Sequence, residues 1–173
     1  MGDRKRIILH RVHLSNVMKS AQKLRLYLDA TIPTDVFAPD RPERMHMTRR
    51  FMALCRAPEY EMLVSDIVLD ELKRASDPQR GLLLEQVAGL GLLHMTATAE
   101  HLAAAYIRHQ ILPPESLEDA RHVALATLNH ADVLVSWKFG HLMTLRRTLA
   151  LHEFHEQIGL RSIEIATPEK VLG

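Results

Sequence analysis

A three-layer α/β/α fold around a central parallel sheet of four or five strands is predicted by three features of the chain. Short apolar runs with strand character alternate with longer stretches of helical period between residues 24 and 172. The runs are joined by helices instead of hairpins, so neighbouring strands must run parallel, with helices covering both faces. The clearest unit is residues 117–139, LEDARHVALATLNHADVLVSWKF, in which an apolar helix, a tight turn and a buried strand follow one another. That is half of an α/β unit.

Each element follows from local chemistry. Residues 24–30 (LRLYLDA) are apolar at alternating positions and read as the first strand, ended by Asp29, Thr31 and then Pro33. A polar, basic segment over 40–50 runs into a helix over 51–55 that stops near Pro58. Residues 62–64 are the second apolar run. Ser65 is expected to cap a helix that carries Ile67, Val68, Leu69 and Leu72. Asp77-Pro78 opens a further helix over 82–90, and 92–95 is expected as the third strand. Leu102, Ala105 and Tyr106, with a basic far side, predict an amphipathic helix over 98–110, broken by Leu112-Pro113-Pro114.

In the 117–139 unit, Asp119 stands in the first helical turn, where the helix dipole favours a carboxylate. Ala120, Val123, Ala124 and Thr127 recur at helical spacing, small enough to pack closely on a sheet. Val133, Leu134 and Val135 form the fourth strand, with Ser136 at its end. One helix is then expected over 141–157, with Gly159 as its C-cap, and a last strand over 163–165 before Pro168.

The 173 residues suffice for one domain, placed at 24–173. Residues 1–23 form a basic extension, read as a frayed segment or an over-called start, since MKSAQKLRLYLD makes a credible beginning at Met18. No secretory signal or membrane span is expected, because the apolar runs are too short. Cys55 is the single cysteine, which excludes an internal disulfide and suits a reducing cytoplasm. It sits beside Phe51, Met52 and Leu54, so a buried structural thiol is expected. A net charge of +1 neither demands nor excludes a nucleic-acid partner.

The chemistry is carried by carboxylates. Asp29 ends the first strand, Glu71 lies about two turns into the helix after the second strand, and Asp119 opens the helix before the fourth. A helix running antiparallel to its strand begins near the sheet's carboxyl edge, so the three acids are expected to meet there. Adjacent carboxylates need a cation between them, and hard oxygen ligands suit Mg2+ or Mn2+.

These segments resemble the PIN domain, the nuclease fold of VapC-type toxins. The resembling stretches are LYLDAT (26–31), VSDIVLDEL (64–72), EDARHVALAT (118–127) and ADVLVSWKF (131–139), in the family's order and spacing. The resemblance implies that Asp29, Glu71 and Asp119 are catalytic and hold one or two divalent metals, with Thr31 and Ser136 as supporting hydroxyls. It implies RNA as substrate, hydrolysed by a metal-bound water, a small antitoxin as partner, and a homodimer. Arg49, Arg50, Lys73, Arg74 and Arg121 are candidates for meeting phosphates.

One position departs from the pattern. Where many members carry an acid or amide two residues after the last hydroxyl, this chain has Lys138, preceded by Trp137. Lys138 has three readings: a substitute for a second metal's charge, a phosphate ligand, or a solvated side chain, the last weighing as much as the other two together. Trp137 is expected to pack against its own domain instead of stacking on a base. Asp132 begins the fourth strand, at the opposite edge, as a turn or capping residue. The alternative to a ribonuclease is a PIN-like scaffold that binds RNA or protein with weak or no cleavage, because the fourth acidic position is Lys138.

Other enzyme classes fail on spacing. A haloacid-dehalogenase-like phosphatase needs a second acid two residues after Asp29, where Thr31 stands, and a phospho-receiver needs its acid after a middle strand. His152 and His155 in HEFHE lack metalloprotease spacing, so zinc is not expected. His122, one turn from Asp119, is within reach of the acidic pocket, but a helix-surface histidine is the preferred reading.

Overall fold

The structure is a computed structural model that describes residues 23–173. The basic extension and the alternative start at Met18 lie outside the described residues, Lys23 excepted. The described chain runs β1 (Leu24–Leu28), α1 (Thr31–Asp35), α2 (Pro42–Leu54), β2 (Tyr60–Ser65), α3 (Asp66–Lys73), α4 (Gln79–Val87), β3 (Gly91–Leu93), α5 (Ala97–Arg108), a 3-10 turn (Pro114–Ser116), α6 (Leu117–Leu128), β4 (Val133–Val135), α7 (Phe139–Leu142), α8 (Leu145–Gln157), β5 (Glu164–Ala166) and α9 (Pro168–Leu172).

The five strands form one parallel sheet in the order β3-β2-β1-β4-β5. Helices flank it as a three-layer α/β/α sandwich. Parallel strands buried on both faces should be continuously apolar, and β4 and the last three residues of β1 are: Leu26, Tyr27, Leu28, Leu134 and Val135 have no exposed surface. The chain lays β2 and β3 to one side of β1, then crosses to place β4 on the other. That reversal between β1 and β4 is the topological switch point, where a crevice opens beyond the carboxyl ends of the strands. Leu28 pairs with Val135 across it, so the residues that follow, Asp29 and Ser136, face each other there.

The caps explain where the helices begin. The Ser65 side chain accepts from the Val68 amide, as its position before α3 suggested, and Thr96 and Thr144 cap α5 and α8 in the same way. The last of these corrects the sequence reading: one helix over 141–157 is two, because α7 ends at Leu142 and Thr144 starts α8 afresh. Gly159 takes φ +72° after α8, the left-handed turn a glycine adopts without a Cβ clash. Strand β5 lies one residue later than expected.

Cys55 is buried, and burial, reinforced by Glu59, pushes its thiol up to about 12. No helix among the described residues is long and apolar enough to cross a membrane.

Helix α8 is fastened through a buried polar pair: the Tyr106 hydroxyl meets His155 Nε2 at 2.7 Å, while His155 Nδ1 has no hydrogen-bond partner. Burial, with a smaller contribution from His152, holds the imidazole at about 4 against 6.5 for a free histidine. The unfolded chain therefore takes up a proton as pH falls through 6.5, and the folded protein does not until about 4. Stability contributed by neutral His155 is complete above 6.5 and lost toward 4. Thermal melts should show Tm falling between pH 6.5 and 5, before ordinary carboxylates titrate, and His155→Gln should flatten that slope; an unchanged slope would refute the assignment.

Candidate active site at the switch point

Asp29 is almost wholly buried at the end of β1. Its Oδ1 accepts from the Thr31 amide at 3.0 Å and the Thr31 hydroxyl at 2.5 Å, and its Oδ2 accepts from the Ser136 hydroxyl at 2.5 Å. Each hydroxyl is bonded again. Thr31 Oγ1 accepts from the Trp137 amide at 3.0 Å, and Ser136 Oγ accepts from the Lys138 amide at 3.0 Å. One carboxylate thereby ties the end of β1 to the turn after β4. Burial raises its pKa, and the bonds from Ser136 and Thr31 oppose the rise.

Glu71 lies on α3, with Oε1 2.9 Å from His122 Nε2. The His122 Nδ1 meets the Tyr27 hydroxyl at 2.7 Å, and that hydroxyl meets Ser65 Oγ at 2.8 Å. Ser65 Oγ already accepts from the Val68 amide. Its own hydrogen is thus free for Tyr27, whose hydrogen then goes to Nδ1, leaving the proton on Nε2 for Glu71. This assignment satisfies every atom with a neutral ring. Burial pushes the Glu71 carboxyl up, but the His122 hydrogen bond, with the charges of Lys138 and Arg74, outweighs it and leaves it below the ordinary value. His122 is buried, which corrects its reading as a surface residue. A signal was available: it shares the buried side of α6 with Asp119 and Val123.

Asp119, in the first turn of α6, is 7% exposed, and its Oδ1 lies 2.6 Å from Lys138 Nζ. Burial lowers the lysine's pKa, but the bond to Asp119 and the charges of Asp119, Glu71 and Asp29 leave it raised. The ammonium therefore feels all three acids. Of the three readings of Lys138, the solvated one is overturned: the side chain is half exposed, yet its charge points into the acidic edge. Trp137 packs within the domain as expected, its Nε1 donating to Thr48 Oγ1 at 2.8 Å with Arg44 stacked 5.3 Å from its ring.

Beside this edge lies a cavity of about 330 Å3, lined among others by Thr31, Thr34, Glu71 and Gln79 and by the Asp35–Arg41 ion pair at 3.0 Å. Asp35, fully buried, carried no sequence signal. Among the basic candidates, Arg121 is committed to Glu100 and Glu118, Lys73 to Asp70, and Arg49 to the Val36 carbonyl. Arg50 and Arg74 are exposed. Asp132 lies at the opposite edge, receiving the Arg25 amide and the Arg161 guanidinium.

Fit to a divalent ion was tested on these partners. Carboxylates are the right donor chemistry, but each is already engaged inside the chain: Asp119 by Lys138, Glu71 by His122, and Asp29 by Thr31 and Ser136. Among the described residues no three His, Cys, Asp or Glu side chains stand ready to hold an ion. As arranged, the acids fit Lys138 and not a metal.

Ser136 is the smallest part of the clamp that can be removed. Ser136→Ala leaves Asp29 short of one donor and the Lys138 amide without an acceptor, and should cost about 1–3 kcal/mol in urea unfolding. A loss below about 0.5 kcal/mol would show that the clamp is not needed.

No protein-family model matches the chain, and no curated protein matches it. Among solved structures, one chain of the VapBC2 complex from Rickettsia felis, bound to a DNA fragment from their promoter, is similar with a TM-score of 0.52 at 12% identity, over 83% of this chain and 98% of that one. Mycobacterium tuberculosis VapC20, a Sarcin-Ricin loop cleaving toxin, is similar at a TM-score of 0.49 and 16% identity, over 72% and 94%, which is too distant to add weight. Sheet order, switch point and the first of these likenesses agree: the chain has a VapC-like PIN fold.

Proposed function

We propose that this chain is a VapC-like ribonuclease domain that acts on RNA phosphodiesters at the β1–β4 switch point. The observation that carries the reading is the Lys138–Asp119 pair at 2.6 Å beside the switch point, with the charges of Glu71 and Asp29 also acting on that lysine. In hydrolysis, a water oxygen attacks phosphorus, the bond to the leaving oxygen breaks, and the water's proton must be taken up. Glu71, kept ionised and oriented by His122, is placed to orient that water and receive its proton. Lys138 would offset charge building on the phosphate, and the cavity beside Glu71 has room for a neighbouring nucleotide.

Dependence on Mg2+ or Mn2+ held by Asp29, Glu71 and Asp119 belongs to this reading as an expectation of the resemblance. A small antitoxin is the proposed partner, supported by the likeness to a chain of a VapBC complex. A homodimer and a cytoplasmic setting are proposed on the resemblance alone.

The scaffold reading has a specific observation in its favour, the Lys138–Asp119 pair, which balances Asp119 without a metal. Purified protein incubated with single-stranded and structured RNA, in Mg2+, Mn2+ or EDTA, separates the two. A ribonuclease should cut in a metal and lose at least about a hundredfold in rate on Glu71→Gln. RNA binding without cleavage, indifferent to EDTA, would establish the scaffold instead.

A further inference from the structure

Resting on the ribonuclease reading above, we infer that Lys138 is a built-in counter-ion: its ammonium holds the place beside Asp119 that a divalent ion would take, so the protein binds Mg2+ or Mn2+ only weakly until that side chain is displaced. The geometry is specific to this residue. The Lys138 amide is anchored on Ser136 Oγ, itself bonded to Asp29, so the residue begins at the acidic edge. Its Nζ then reaches Asp119 Oδ1 at 2.6 Å. The charges of Glu71 and Asp29 also act on that ammonium. His122 provides Glu71 with its own partner, and the Thr31 and Ser136 hydroxyls provide Asp29 with its own.

The chain thus supplies a hydrogen-bond partner to each of Asp29 and Glu71, and a positive charge to Asp119. An incoming cation at Asp119 would meet a like charge on the same oxygen, and must break that pair before it binds. The lysine side chain is 53% exposed, so nothing in the core holds it there except that attraction. Displacement is sterically open and electrostatically opposed.

The substitution that tests this removes the charge and keeps the fold. Lys138→Asn supplies a neutral oxygen in its place, Lys138→Met keeps the length without charge, and Lys138→Arg keeps the charge. Mn2+ alone is titrated into the full chain and each variant, with the free ion followed by electron paramagnetic resonance and thermal melts confirming folding. Lys138→Asn and Lys138→Met should bind Mn2+ at least about tenfold more tightly than the unaltered chain, and Lys138→Arg no more tightly. Adding Asp119→Asn to Lys138→Asn should abolish the gain. Equal, measurable affinity in all forms would overturn the counter-ion role and leave the ribonuclease reading standing. Failure of every form to bind Mn2+ would overturn the counter-ion role together with the metal dependence of the proposed activity.

Discussion

The arrangement depends on one buried carboxylate. Asp29 sits where two strands end side by side, and both of its oxygens are taken by hydroxyls from opposite sides of the switch point. An ionised carboxylate removed from water is stable only when its lone pairs are filled by good donors. Thr31 and Ser136 fill them, and in doing so they orient the amides of Trp137 and Lys138. The turn that carries Lys138 is therefore positioned by the acid at the end of β1.

That constraint sets the electrostatics of the whole edge. Three carboxylates brought together would repel one another and be driven toward protonation. The chain supplies two counterweights of different kinds. His122 acts by a hydrogen bond relayed through Tyr27 and Ser65, and it keeps Glu71 ionised. Lys138 acts by full charge, and it balances Asp119 directly. The two differ in how they are held as well. His122 is bonded in the core at both ring nitrogens, whereas the Lys138 side chain is bonded at its ammonium and half exposed. The first is scaffold. The second is open to solvent.

The basic residues illustrate how little a charge in the sequence says about its use. Arg121 and Lys73 spend their charge on neighbouring acids of the helical surface, and Arg49 serves a backbone carbonyl. Only position mattered. Lys138, which the resemblance marked as a departure, is the cation paired with Asp119.

Much of the fold could be read without coordinates because it is written in local chemistry. Apolar runs of strand length, the Ser65 cap and the small-residue stripe Ala120, Val123, Ala124 follow from period and hydrogen bonding over a few residues. The order of strands and helices then determined which chain segments end at the carboxyl edge, so Asp29, Glu71 and Asp119 were named from sequence. The restart of α8 at Thr144 escaped because the helical period continues across the break. Which acid pairs with what was decided only in three dimensions. His122 lies 51 residues from Glu71, and Ser136 lies 107 from Asp29, separations at which a linear pattern carries no distance. The sequence by itself determined that acids and one lysine end at the same edge. Only packing decided that the lysine would neutralise Asp119, because that depends on where a turn held by Asp29 aims an ammonium.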